Sequence, residues 1–291
     1  MIRGIICPLL TPKTDDGQID ISALNSLLEY VIAGGVDGLL IAGTTGECAA
    51  LSDRAWSELV AHSTRKHAVT IVNVSHCSLH ETLNRATYAA EQGAEYITAT
   101  VPFYFPLQPA EAVDYYLRLA DASPRPLMLY NIPQYTKTDI FPQLPRLVEH
   151  PNIVGIKDSA GLLDRLGKFA LTVSDSFTVL SGTESHLEAL QAMRISGLVP
   201  GLANLVPSVY RKWQQALETG DRESTRTCSQ TIIALSALYS EVESSAPYIQ
   251  VFRYGLRLLG IEIGDAFSPL QPLSEESKHR IERVMRDHHV I

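Results

Sequence analysis

The sequence predicts an α/β protein of the (β/α)8 TIM-barrel class with a helical appendage at its C-terminal end. Three observations predict it. Eight short apolar runs of strand length punctuate roughly the first two hundred residues. Amphipathic segments of helix length separate them, so each crossover places a helix between parallel strands. No G-x-G-x-x-G follows the first run, which leaves the competing open, doubly wound sheet without its fingerprint. Eight right-handed strand–helix units in succession close on themselves.

The apolar runs are Gly4 to Leu9, Val36 to Ala42, Val69 to Val74, Tyr96 to Val101, Pro126 to Tyr130, Ile153 to Ile156, Phe177 to Leu180 and Gly197 to Leu202. Runs this apolar suit strands buried on both faces. Helices are predicted over 19–33, 53–67, 78–92, 109–122, 141–149, 162–173, 184–195 and 206–217. Ser52 supplies an N-cap hydroxyl for the second helix, and Gly34-Gly35 and Gly93 supply C-terminal stops. After about residue 220 the alternation ceases, and 221–239, 246–259 and 274–288 read as helices punctuated by Gly260, Gly264 and Ser268-Pro269. Residues 1–220 are therefore expected to form the catalytic barrel, and 221–291 a helical region packed on it.

Bulk properties narrow the function classes. With 45% hydrophobic and 19% charged residues the chain has the material for a large core, and no apolar run reaches membrane-spanning length. The start of the chain turns polar too soon for a signal peptide, so a cytoplasmic location is expected. A formal charge of −8 argues against a nucleic-acid partner, although a local group of donors can still hold an anionic substrate. Cys7, Cys48, Cys77 and Cys228 form no C-x-x-C pair, and the histidines show no H-E-x-x-H spacing, so neither a disulfide framework nor a metal site is expected.

Chemistry in such a barrel belongs to the residues that follow each strand. The sixth run leads into Lys157-Asp158-Ser159. A lysine there is either a stem snorkelling to water or a desolvated amine able to attack carbonyls. The fifth run ends in Tyr130-Asn131-Ile132-Pro133, where the phenol is either a core group or a proton shuttle beside the lysine. The second run ends in Gly43-Thr44-Thr45-Gly46-Glu47, a simple turn or a cradle of N–H groups and hydroxyls for a carboxylate. The fourth ends in the aromatic cluster Phe103-Tyr104-Phe105.

These three motifs, Gly43-Thr44-Thr45-Gly46-Glu47, Tyr130-Asn131-Ile132-Pro133 and Gly155-Ile156-Lys157-Asp158-Ser159, in this order and at these separations, resemble the dihydrodipicolinate synthase / N-acetylneuraminate lyase family of class I pyruvate aldolases. The resemblance spans essentially the whole chain. It implies that Lys157 forms a Schiff base with pyruvate or a 2-keto acid, a covalent imine that dispenses with a cofactor. Tyr130 would be the general acid/base. Thr44 and Thr45 would bind the keto acid's carboxylate, with Thr45 relaying protons to Tyr130. Tyr104 aligns with the tyrosine that, in many members, reaches into a neighbouring subunit's site, and Val199 with a residue whose carbonyl lies near the lysine. The resemblance also implies a homotetramer built as a dimer of dimers.

Dihydrodipicolinate synthases typically carry an arginine five residues after the strand-five tyrosine. This chain has Tyr135 there, and a phenol cannot make the bidentate contact of a guanidinium with a carboxylate. Thr183 and Glu184, after the seventh run, match the region where members that cleave sugar acids bind substrate hydroxyls; Glu184 alternatively complements a helix dipole. The expected activity is cleavage or formation of a 2-keto-3-deoxy sugar acid or related hydroxy-keto acid, with pyruvate and an aldehyde as partners. Dihydrodipicolinate synthase, a keto-acid dehydratase of the same family, and a non-catalytic keto-acid-binding barrel are the alternatives.

Overall fold

The structure is a computed structural model of the chain and describes residues 2–64, 69–184, 187–240 and 247–291. Its strands are β1 (Gly4–Pro8), β2 (Gly38–Ile41), β3 (Val69–Asn73), β4 (Tyr96–Ala99), β5 (Leu127–Asn131), β6 (Ile153–Asp158), β7 (Thr178–Ser181) and β8 (Gly197–Leu198). They form a closed barrel in sequence order, β1-β2-β3-β4-β5-β6-β7-β8. The interleaved helices are α1 (Ile21–Ala33), α2 (Asp53–Ser63), α3 (Leu79–Glu91), α4 (Pro109–Ala122), α5 (Pro133–Thr136), α6 (Leu144–Leu147), α7 (Leu163–Ala170) and α8 (Leu187–Ala192). Then follow α9 (Pro207–Thr219), α10 (Arg222–Leu235), α11 (Pro247–Leu258) and α12 (Glu275–Asp287). This is the (β/α)8 barrel with C-terminal helices that the alternation predicts.

The chain divides into two compact units, Met1–Gly4 with Thr64–Val199, and Ile5–Ser63 with Pro200–Ile291. In the first unit, Ile71, Val72, Ile97, Leu127, Leu129, Ile156 and Leu180 are buried, as parallel strands covered on both faces require. Register here depends on a glycine: a Cβ on Gly155 would lie 2.6 Å from the backbone oxygen of Thr178 on the paired strand β7. In the second unit, Leu24, Leu27, Leu28 and Val31 of α1 are buried, as are Tyr210, Ile232, Phe252 and Met285 from the later helices. Trp213 Nε1 donates to Ser229 Oγ at 3.1 Å, joining α9 to α10.

Helix starts follow local chemistry. Asp20 Oδ1 accepts from Ala23 N at 2.9 Å at the start of α1, and Ser52 Oγ accepts from Ala55 N at 3.2 Å at the start of α2. Gly35 and Gly93 take φ of +88° and +99°, conformations that make them stops.

Differences from the sequence reading lie at element ends. Strand β6 continues through Lys157 to Asp158, because both residues find ladder partners on β5 and β7. The eighth strand stops at Leu198, and Gly201–Asn204 turns into a 3-10 helix that Asn204 closes by donating Nδ2 to Gly201 O at 3.0 Å. The helix expected over 141–149 is a 3-10 turn, Phe141–Gln143, followed by α6, and the fifth loop contains the unforeseen α5. Expected helical positions 65–67, 185–186 and 246 lie outside the described residues.

Candidate active site

Strands β5 and β6 carry the candidate nucleophile and its partner. Their register places Tyr130 opposite Lys157 and Asn131 opposite Asp158. Because side chains alternate along a strand, the first pair shares one face and the second pair the other. Lys157 Nζ donates to Tyr130 Oη at 3.1 Å and stands 4.2 Å from the ring centroid. Both side chains are buried, at 7% and 2% exposure. An amine thus held against a phenol, away from bulk water, has the geometry in which a proton can pass between them. Lys157 also pairs with Leu180 of β7, and Tyr116 Oη donates to Ala99 O of β4 at 3.0 Å.

The opposite face is a polar network. Asn131 Nδ2 donates to Asp158 Oδ1 at 2.7 Å and to Asp139 Oδ1 at 3.0 Å, while its Oδ1 accepts from Ile140 N at 3.1 Å. Arg165 of α7 donates to Asp139 Oδ2 at 2.5 Å, lies 3.8 Å from Asp158 Oδ1 and packs 4.0 Å over the Phe141 ring. Burial raises the Asp158 carboxyl above its ordinary value, with the Asn131 hydrogen bond and the Arg165 charge opposing that rise.

Other expected site residues of this unit are dispersed around the strand ends. Ser181 Oγ stands 3.2 Å from Thr183 Oγ1 and accepts from Thr183 N at 3.2 Å, forming a tight turn after β7. Val199 N donates to Ser181 O at 2.8 Å, tying the end of β8 to β7. Glu184 is buried. Tyr135 in α5 is 43% exposed, and its phenol is raised above the ordinary value, first by partial burial and then by Tyr130. Gln134 Nε2 donates to Ser159 O at 2.9 Å, linking the fifth loop to the end of β6. Tyr104 is 76% exposed and packs edge-on against the exposed Phe105, 4.8 Å between centroids.

In the second unit, Thr44 and Thr45 occupy the turn after β2. Glu47 N donates to Thr44 O at 3.0 Å and Cys48 N to Gly43 O at 3.2 Å, and both Ala42 and Glu47 adopt positive φ, 53° and 58°. Two non-glycine residues in the left-handed region need outside support. Glu47 has it: its buried carboxylate accepts from Arg253 Nε at 3.1 Å, from Arg253 Nη2, and from Phe267 N at 2.7 Å. Arg253 of α11 further donates to the backbone oxygens of Ile263 at 3.0 Å, Gly264 at 3.1 Å and Thr11 at 2.7 Å. Thr11 Oγ1 in turn donates to Gly46 O at 2.7 Å. Sequence reasoning missed Arg253, Asp139 and Arg165, and gave Asn131, Asp158 and Glu47 no individual role. The only local trace of Arg253 is Glu47 itself, a carboxylate in a glycine-rich turn, and it does not say whether or where a cation meets it.

Among the described residues no group of three or more His, Cys, Asp or Glu is arranged to hold a metal ion, and no helix is long and apolar enough to cross a membrane.

The fold is thus a closed (β/α)8 barrel, the class that carries active sites at the carboxyl ends of its strands, and the buried lysine–tyrosine pair lies there. The family model described as the dihydrodipicolinate synthetase family matches residues 1–288, and the chain belongs to that family. It is similar to a 4-hydroxy-tetrahydrodipicolinate synthase of Exiguobacterium sp., 30% identical over 290 residues that cover 98% of this chain and 97% of the relative. It is equally similar, at 30% over 296 residues, to a probable 2-dehydro-3-deoxy-D-pentonate aldolase of Escherichia coli K12, covering 96% and 94% of the two chains. Among solved structures, YagE of E. coli K12, a prophage protein of this family in complex with pyruvate, superposes with a TM-score of 0.93 at 25% identity over the whole of both chains. The chain is accordingly an enzyme of the lyase class, an aldolase-type family member.

Proposed function

We propose that this chain is a pyruvate-dependent class I aldolase that cleaves or forms a 2-keto-3-deoxy sugar acid, or a related hydroxy-keto acid, through a Schiff base on Lys157. The observation that carries the reading is the 3.1 Å contact between Lys157 Nζ and Tyr130 Oη. The amine adds to the keto carbon, and loss of water gives a protonated imine. Removal of the proton from the substrate's C4 hydroxyl then breaks the C3–C4 bond, releasing the aldehyde, while the bonding electrons move into an enamine. Protonation at C3 and hydrolysis return pyruvate and the free amine. Tyr130 passes the protons that carbinolamine collapse and C–C cleavage require. The imine itself is the electron sink, so the scheme draws on no metal or organic cofactor.

Thr44 and Thr45 are assigned the keto acid's carboxylate, in keeping with the buried, supported turn that presents them. Tyr135, Thr183 and Glu184 are assigned the aldehyde end, with Val199 lending a carbonyl near the amine. A phenol at position 135 favours a hydroxylated, uncharged aldehyde over one bearing a carboxylate, because it offers one hydroxyl where a guanidinium offers a planar fork. Tyr104, exposed at 76% in this chain, is assigned to a neighbouring copy within a dimer-of-dimers homotetramer.

The second reading is 4-hydroxy-tetrahydrodipicolinate synthase, favoured by the name of the Exiguobacterium relative. Two measurements test the pair. Borohydride with pyruvate adds the reduced pyruvyl mass to Lys157 under either reading, and an unmodified Lys157 refutes both. Turnover of 2-keto-3-deoxy acids faster than condensation of pyruvate with aspartate semialdehyde supports the first; the reverse order supports the second.

A further inference from the structure

We propose that Asn131 and Asp158 are a positioning pair: their hydrogen bond on the outer face of the β5–β6 ladder holds Tyr130 and Lys157 in reacting register on the inner face. The inference rests on the Schiff-base reading of Lys157.

Tyr130↔Lys157 and Asn131↔Asp158 are the last two register pairs of this ladder. Beyond them a single backbone bond, Ser159 N to Asn131 O at 2.9 Å, precedes the loops. Ladder ends open most readily, since each bond there is supported from one side only. The Lys157–Tyr130 contact therefore sits where the backbone holds it least. The side-chain bond from Asn131 Nδ2 to Asp158 Oδ1, at 2.7 Å, closes that end one residue further along.

Residue type matters at both positions. Asn131 lies between two carboxylates, Asp158 and Asp139, and spends one amide hydrogen on each. Ionised carboxylates only accept, so an aspartate at 131 would add a third acceptor and no donor. The amide oxygen takes Ile140 N, so all three bonds of the side chain run to fixed partners. Asp139 is itself held by Phe141 N at 3.1 Å and by Arg165 of α7. Asn131 thereby anchors the strand end, the return of the fifth loop and α7 at one point, directly behind the lysine–tyrosine pair. Asp158 needs only an acceptor oxygen for this purpose, whereas Asn131 needs its donor.

The experiment is a quenched-flow time course of borohydride-trapped pyruvate on the full chain, read by intact mass across a pH series, for wild type and the variants Asn131→Leu, Asp158→Ala and Asp158→Asn. Unfolding midpoints are recorded alongside. Asn131→Leu and Asp158→Ala should slow imine formation about 10- to 100-fold, the size expected for misplacing reacting groups by about an ångström, and alter its pH profile. Asp158→Asn keeps the acceptor oxygen and should retain most of the rate. Should Asn131→Leu fail to fold, the Asp158→Ala and Asp158→Asn comparison decides. Equal slowing of those two, or wild-type trapping rates with an unchanged pH profile in Asp158→Ala, overturns the pairing. A wild type that traps no pyruvate overturns the Schiff-base reading, and this inference with it.

Discussion

Replacing Arg253 by methionine should destabilise the chain strongly, and the size of the effect follows from the arginine's surroundings. Arg253 is 3% exposed and Glu47 6%, so neither charge has water to fall back on. The substitution keeps most of the side-chain volume but leaves the Glu47 carboxylate with Phe267 N as a donor and no cation. Three backbone oxygens, of Thr11, Ile263 and Gly264, each lose the arginine as a donor at the same time, while Ile263 O keeps Lys13 N at 3.1 Å. Breaking a buried pair by removing one partner typically costs about 3–5 kcal/mol. With an unfolding entropy of about 2.1 cal/mol/K per residue, a chain of 291 residues gains about 0.6 kcal/mol per degree, so the melting midpoint should fall by about 5–8 °C. The assay is thermal unfolding by circular dichroism at matched protein concentration, run also on Glu47→Leu and on the double variant. The double variant, with no isolated charge left, should be about 1–3 kcal/mol more stable than the sum of the single losses. An Arg253→Met midpoint within about 1 °C of wild type, or strict additivity in the cycle, would refute the reasoning.

Further predictions concern the strand pair. Lys157→Ala should abolish borohydride-dependent labelling by pyruvate while leaving the circular dichroism spectrum intact; residual labelling would place the nucleophile elsewhere. Tyr130→Phe removes the hydroxyl 3.1 Å from the amine and should slow imine formation about 10²- to 10⁴-fold in single-turnover measurements. Gly155→Ala presses a methyl group to 2.6 Å from Thr178 O, a backbone atom with nowhere to move, and should cost about 1–3 kcal/mol by urea unfolding. Burial holds the Asp158 carboxyl above its ordinary value, so the stability tied to its neutral form is present below the unfolded-state value and is lost as pH rises through the folded-state value. Asp158→Asn removes that loss, and its stability relative to wild type should therefore grow as pH rises from about 3 to about 7; a difference that grows toward acid would contradict the sign.

The alternation of apolar runs and amphipathic segments made the barrel readable, because each strand is buried on both faces and each helix on one. Lys157 and Tyr130 were legible for a related reason: polar side chains at the ends of apolar runs stand out. Element ends were less so. The sixth apolar run ends at Ile156 and the sequence places Lys157 at the strand's end with the loop after it, yet the ladder continues through Asp158. The eighth strand erred the other way, since an apolar Val199-Pro200-Gly201-Leu202 stretch supplies core residues to a 3-10 turn as readily as to a strand. Arg253 was beyond reach, because the residue it neutralises is 206 positions away and only the folded chain brings them together. Asn131 and Asp158 stood inside quoted motifs, but hydrogen bonding between two short polar side chains leaves no periodic trace.

The ladder position of Lys157 separates what the enzyme does to a bond from which molecule it accepts. Its amine is mounted on a strand tied to both neighbours, while the candidate recognition groups Tyr135, Thr183 and Glu184 stand on connecting segments. Such segments tolerate exchange far better than the strands beneath them. Under the Schiff-base reading, a scaffold divided in this way can be retailored by rewriting residues 133–138 and 183–184, which spares Asp139 and Ile140, the partners of Asn131.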